Sequence, residues 1–343
     1  MQSGNSEFDI GGIQVGRSER PYVLAEIGIN HDGSVEQAEQ LIVAAWEAGA
    51  HGVKFQTLRA SDLAHPDKAP EQYELFRSVE LDRDAHIHLK SVADSHGIAF
   101  ISTPFGLREA DMLAEIGVPA IKIASGDMTN YPLLDHAGRL GLPVIMSTGM
   151  SYLDEVRAAR DVLLGAGCTN FALLHCVSRY PTTPVEANLR SVGTMLKEFP
   201  EVIGFSDHTE GIWAAPSAVA LGARFIEKHF TLDRSLPGPD HALSAEPSEL
   251  RELIRAINNT YDGLGDGEKK PCPMELENRS RGRKGLYASR SLPAGTRISL
   301  EDLKISRPEG EVSAADYGEV IGGEISRSLE AGEEITRDAI NPG

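Results

Sequence analysis

The chain has 343 residues, 41% of them hydrophobic, enough for one large domain of about 250 residues and a smaller one. Its 33 Lys and Arg face 51 Asp and Glu, and the resulting net charge of −18 excludes a general attraction to nucleic-acid backbones or anionic membranes, so neither is expected as a partner. Cys168, Cys176 and Cys272 show no CxxC spacing, which argues against a disulfide framework and a Cys-rich zinc site and fits a reducing, cytoplasmic setting. The opening MQSGNSEFDIGG has neither a basic start nor an apolar core, and no later run approaches the ~20 apolar residues of a membrane span, so a soluble protein without an export signal is expected.

Eight apolar runs then follow in order: YVLAEIG, HGVKFQT, IAFISTP, PAIKIAS, PVIMST, NFALLHC, EVIGFSD and ARFIEKHF. Helical patterns lie between them. In SVEQAEQLIVAAWEAGA, Ser34 and Gln37 have capping-box spacing and Gly49 marks the stop. Strands buried on both sides and alternating with helices predict a parallel sheet, and eight such units predict a (β/α)8 barrel over residues 1–265; an open doubly wound sheet is the alternative.

A barrel of this kind carries its active site at the C-terminal ends of the strands, where polar residues close nearly every run. Alternation puts Glu26 and Gly28 on one face of the first strand and Lys54 and Gln56 on one face of the second. Thr103, Lys122, Ser125, Ser147, His175, Ser178, Tyr180, Ser206, Asp207, His208, Glu227 and His229 follow on later strands. Two buried lysines, Lys54 and Lys122, need an anion to offset their desolvation, and lysines with hydroxyls around one mouth suit a phosphate or carboxylate ligand. No GxxxxGK(S/T) loop or strand-bound GxGxxG is present, so the anion is not expected to be a nucleotide. His208 and His229 end neighbouring strands with matching parity and are metal candidates, with phosphate binding as the other possibility. His31, His51 and His241 are weaker candidates, expected as loop or supporting residues.

Residues 266–282 are polar and rich in Gly, Pro and charge, and read as a linker to a second domain over 283–343. There SLPAGTRISLEDL, from Ser291, is echoed by SLEAGEEITRDAI, which begins 37 residues later at Ser328. Two such turn units imply a small β-rich domain with a pseudo-twofold.

AEIGINHDG, KFQ, FISTPF, KIASGD, STGM, LLHCVSRYPT, GFSDHT, EKHFTLDRSLPGPDHALS and ISRPEG together resemble the sialic acid synthases, the N-acetylneuraminate synthase group, with their C-terminal antifreeze-like (SAF, β-clip) domain. The resemblance spans residues 20 to 340 or so. It implies a transferase that condenses phosphoenolpyruvate with an N-acetylmannosamine-type aldehyde, giving a nine-carbon 2-keto-3-deoxy acid and phosphate. It implies phosphoenolpyruvate contacts at Lys54, Thr103, Lys122, Ser125, Ser147, Ser178 and Ser206, and Mn2+ or Mg2+ on His208 and His229 to polarise the aldehyde. Sugar contacts are implied at Glu26, Gln56, Tyr180 and Asp240, and at Arg307 donated by the partner subunit of a domain-swapped homodimer. Glu26 is the expected base for water addition at C2. Some sialic acid synthases have Asn where this chain has Ser178, which leaves the sugar open; legionaminic and pseudaminic acid synthases share the chemistry. The competitors are a Schiff-base aldolase on Lys54, Lys122 or Lys228, a synthase acting on phosphorylated sugars, and a noncatalytic carbohydrate- or ice-binding protein.

Overall fold

A computed structural model describes residues 4–341 and divides the chain into two units, Met1–Gly265 and Asp266–Gly343. The first begins with a hairpin, β1 (Glu7–Ile10) and β2 (Ile13–Gly16), which the apolar-run pattern does not reveal. Eight parallel strands follow: β3 (Tyr22–Gly28), β4 (Gly52–Thr57), β5 (Ala99–Pro104), β6 (Ile121–Ile123), β7 (Val144–Ser147), β8 (Phe171–Cys176), β9 (Val202–Asp207) and β10 (Phe225–His229). They pair in sequence and β10 closes on β3, forming the closed barrel rather than an open sheet.

Side-chain parity divides the barrel into two environments. One parity, including Val23, Ala25, Val53, Phe55 and Phe100, packs outward against the helices. The other fills the lower barrel with Leu24, Ile101, Ala120, Ile145, Leu174 and Phe225, and the hairpin seals that end with Phe8, Ile10 and Val15. Continuing upward, the inward parity changes from apolar to polar: Leu24 gives way to Glu26, Ile101 to Thr103, Ala120 to Lys122, Ile145 to Ser147. Strand β3 breaks its alternation after Glu26, where the register to β4 shifts and Gly28 takes φ +57.

Helix Val35–Ala48 is capped by Ser34, whose hydroxyl accepts from Gln37 N–H, and ends at left-handed Gly49. The expected return arm of the capping box is absent. The Gln37 amide instead donates to Asn30 O (2.6 Å) and Asp32 Oδ2 (2.7 Å), bracing the loop after β3. No described helix is long and apolar enough to cross a membrane.

In the second unit, the stretch read as a linker contains helix Pro273–Gly282, a correction to the sequence reading. Proline in the first turn and Glu275 accepting from Cys272 N–H start it, but no residue in it is buried, so it leaves no apolar stripe in the sequence. Beyond it, the two echoed segments pair symmetrically. Leu292 and Leu329, equivalent positions of the repeat, exchange both backbone hydrogen bonds (2.8 and 2.9 Å). Ala288 N–H donates to Glu333 O while Ile325 N–H donates to Thr296 O, the same bond generated by the pseudo-twofold. Both halves contribute to one core, with Leu286, Leu292 and Ile298 beside Leu329 and Ile335.

Candidate active site

Every substrate- and metal-contact residue implied by the resemblance except Arg307 lines one cavity of about 530 Å3 at the C-terminal mouth of the barrel. Arg307 lies in the second unit, exposed at the end of strand Leu303–Ser306.

The floor of the cavity is ionic. Lys54 Nζ is 2.7 Å from Glu26 Oε1 and 4.0 Å from Glu227, and it donates to Thr103 Oγ1 at 3.2 Å. Lys122 Nζ is 3.5 Å from Glu227 Oε1 and donates to Ser147 Oγ at 2.7 Å. Ser206 Oγ donates to the same Glu227 oxygen at 3.0 Å, and Gln56 Nε2 reaches Glu26 at 3.4 Å. All four charged groups are buried, and each raises or lowers the ionisation of its neighbours. Burial pushes Glu26 up to about 7 against the pull of Lys54, whereas at Glu227 the same desolvation is overcome by Lys122 and Lys54, which hold it below the usual carboxylate range. Burial lowers Lys122, while Glu227 and Glu26 overcome the desolvation of Lys54 and raise it.

Two imidazoles stand beside these pairs, ring centroids 5.3 Å apart, with the Tyr180 ring 4.1 Å from His208. His208 Nδ1 lies 2.8 Å from Val177 O; a carbonyl only accepts, so Nδ1 carries a proton, and Nε2 is the nitrogen left to face a ligand. His229 is held well below its ordinary range by burial and by His208, so its ring is neutral. Its Nδ1 is buried with no hydrogen-bond partner and lies 3.8 Å from Asp240. Glu26 Oε2 and Glu227 Oε2 are likewise buried and unpartnered. The described residues hold no preformed cluster of three or more metal-ligating side chains. Two facing imidazoles, that of His229 with an unpartnered Nδ1, nevertheless fit a divalent cation whose remaining positions would be left to water and ligand.

Hydroxyls converge on the turn after β7. Gly149 N–H donates to Ser125 Oγ at 3.0 Å, and a Cβ on Gly149 would lie 2.3 Å from Ser178 Oγ, 2.8 Å from Ser125 Oγ and 3.2 Å from Cys176 Sγ. Only glycine leaves these three groups room to face one ligand. Cys176 Sγ in turn lies 3.8 Å from His208 Nδ1. Neither Gly149 nor Cys176 stands out in the sequence. Glu227 was visible only as an inward-parity residue beside His229, and its position between two lysines depends on strands more than a hundred residues away.

Several polar residues of the strand ends turn away from the cavity. Lys228 pairs with Asp207 at 3.1 Å and donates to Thr209 O, on the helix-facing side of the barrel, which removes it as a Schiff-base candidate in this site. His175 bonds Ala187 O at 2.9 Å. His31, His51 and His241 accept from or bond to Gly33 N, Val23 N and Thr231 Oγ1, in supporting positions outside the cavity lining.

Residues 41–269 match the NeuB family model and residues 283–341 match the SAF domain model. The chain is 41% identical over 347 residues to the N,N'-diacetyllegionaminic acid synthase of Legionella pneumophila, covering 96% of this chain and 98% of that one. It is 35% identical over 356 residues to the N-acetylneuraminate-9-phosphate synthase of Drosophila melanogaster, covering 93% and 95%. The crystal structure of the N-acetylneuraminic acid (sialic acid) synthetase from Leptospira borgpetersenii, in complex with citrate, aligns with a TM-score of 0.76 at 35% identity, over 81% of this chain and 97% of that chain.

Proposed function

The chain belongs to the NeuB family and is an enzyme of the sialic acid synthase type, and from that premise we propose that it condenses phosphoenolpyruvate with the open-chain aldehyde of an N-acetylmannosamine-type sugar, releasing inorganic phosphate and a nonulosonic acid. The observation that carries this is the joining of two buried ammonium–carboxylate pairs to two facing imidazoles in one cavity.

Lys54, Lys122, Thr103, Ser147 and Ser206 offer donors to the phosphate and carboxylate of phosphoenolpyruvate, and Ser125 and Ser178 extend that surface over Gly149. His208 and His229 would hold a Mn2+ or Mg2+ ion, which would supply Lewis-acid polarisation of the aldehyde when bound. Gln56, Tyr180 and Asp240 orient the sugar so that C3 of phosphoenolpyruvate meets the carbonyl carbon. Positive charge then develops at C2. Glu26, ionised with Lys54 donating to Oε1, takes the proton of the water that adds there through its free Oε2. The tetrahedral product collapses with cleavage of the C–O bond, and Lys54 and Lys122 stabilise the departing phosphate. The exposed Arg307 of a second copy completes the sugar site in a domain-swapped homodimer. A reducing cytoplasm fits this chemistry, since Cys176 sits in the cavity as a free thiol.

Phosphate release from phosphoenolpyruvate with Mn2+ and acylamino sugars, lost with EDTA and restored by added metal, is the expected result. Release from no sugar, or full activity in EDTA, would overturn the proposal. Mixing E26Q with R307A tests the dimer: activity returns in mixed dimers only if the arginine serves the neighbouring barrel.

A further inference from the structure

The loop between β10 and helix Pro247–Leu264 carries Asp240 into the cavity, where its carboxylate lies 3.8 Å from His229 Nδ1. Backbone bonds close the base of this loop: Thr231 N–H donates to Ala245 O (3.0 Å) and Ala245 N–H to His229 O (2.8 Å). Around Asp240 the loop is held instead by side chains of the neighbouring loop after β3. Asn30 Nδ2 donates to Ser244 Oγ at 2.9 Å, and Ser244 Oγ donates to Asp240 O at 2.6 Å. His241, the next residue, is fully buried, with Nδ1 2.7 Å from Thr231 Oγ1. Its Nε2 lies 3.2 and 3.1 Å from the two oxygens of Asp32. A carboxylate only accepts, so Nε2 carries a proton and ties the loop to Asp32.

Backbone conformation on both sides suits this contact. Asp32 takes φ +51, a left-handed value that Asp and Asn tolerate better than most residues, and Gln37 holds its carboxylate from the helix side. Across from it, Gly238 takes φ +154, and a Cβ there would lie 2.7 Å from His241 Cδ2 and 3.3 Å from Asp32 Oδ1. Glycine thus leaves the imidazole room to reach Asp32. Neither Asp32 nor His241 lines the cavity, so their influence on chemistry runs through the adjacent Asp240. Resting on the function proposed above, we infer that Asp32 and His241 are positioning residues, whose pairing sets the loop so that Asp240 meets the sugar beside His229. A displacement of about 1 Å at such a contact costs on the order of a hundredfold in rate.

The pair is tested in the full chain with D32G, D32N, G238A, D240A and the double variant D32G/D240A. Glycine takes φ +51 freely and the Asp32 side chain is 34% exposed, so D32G removes the carboxylate without straining the turn or opening the core. In phosphate-release assays, D32G and G238A should lower kcat/KM for the acylamino sugar by about tenfold to a hundredfold, with KM for phosphoenolpyruvate within about twofold of the parent. D32N, which keeps an acceptor for His241, should recover most of the loss. In the D240A background D32G should add no more than about twofold, because both changes act through one carboxylate. Sugar kinetics unmoved in D32G and G238A, an equal rise in KM for phosphoenolpyruvate, or full additivity with D240A would each overturn the inference. Amide exchange of residues 236–244 gives a readout independent of turnover, expected to quicken at least about tenfold in D32G and to return toward the parent in D32N. Exchange unchanged by D32G overturns the tie. If no sugar yields phosphate in the parent, the condensation fails on its own, and quickened exchange in D32G still upholds the tie.

Discussion

Replacing Glu227 by glutamine isolates the charge at the centre of the floor while keeping its shape. At an effective dielectric of about 20, a unit charge 3.5 Å from Lys122 is worth about 5 kcal/mol, and one 4.0 Å from Lys54 about 4 kcal/mol. Desolvation of the carboxylate offsets part of this, and removing one partner of a buried pair costs about 3–5 kcal/mol. For a unit the size of the barrel, that is a fall in Tm on the order of 10 °C near pH 7. The dependence on pH is the sharper test. Burial already holds Lys122 below the ordinary lysine range and Glu227 is the main influence opposing it, so E227Q lowers Lys122 further. Between that lowered value and the ~10.4 of an unfolded lysine, the unfolded chain binds more protons than the folded one, so stability rises with pH. Calorimetry should therefore show the E227Q deficit narrowing as the pH is raised toward the ~10.4 of an unfolded lysine. A variant within about 2 °C of the parent near pH 7, or a deficit that widens as pH rises, would refute the assigned coupling.

Three further outcomes are expected. G149A should raise KM for phosphoenolpyruvate by about tenfold to a hundredfold, since its methyl displaces the Ser178 and Ser125 hydroxyls; an unchanged KM would remove those hydroxyls from the anion site. Because Glu26 must be ionised to accept a proton and burial raises it to about 7, kcat should climb with pH through that region, and a flat profile from about pH 6 to about pH 8 would exclude it as the base. K228M should lower stability by about 3 kcal/mol by leaving buried Asp207 without its cation, yet retain activity at low temperature; loss of turnover in the folded variant, or a borohydride-trapped pyruvate adduct on Lys228, would contradict its outward placement.

The barrel was legible because strands covered on both faces read as unbroken apolar runs, and the site because inward parity continues past Leu24, Ile101 and Ala120 into Glu26, Thr103 and Lys122. Elements that bury little were not legible. The hairpin of β1 and β2 commits Phe8, Ile10 and Val15 to the barrel floor among polar neighbours, and helices Pro70–Ser78 and Pro273–Gly282 have no buried face to imprint a period. The importance of Glu227 escaped for a different reason. Its identity and parity are local, but its partners Lys122 and Lys54 reach it only through the closed sheet. Lys228, one residue on, shows the same parity rule in reverse, since a single step along β10 moves it from the mouth to the helix layer.

The seam of the barrel has a consequence for folding. Strands β3 and β10, some two hundred residues apart, meet with His229 opposite Glu26, and Phe230 N–H donates to Glu26 O at 2.7 Å. A molecule that engages both Glu26 and His229 spans the joint between the first and last barrel strands and binds only the closed ring. By mass action, a ligand at about a hundred times its Kd adds roughly 2.7 kcal/mol to the closed form. Substrate thus acts as a clasp on the ring, and slowed amide exchange at Tyr22–Glu26 and Phe225–His229 would register when the clasp is fastened.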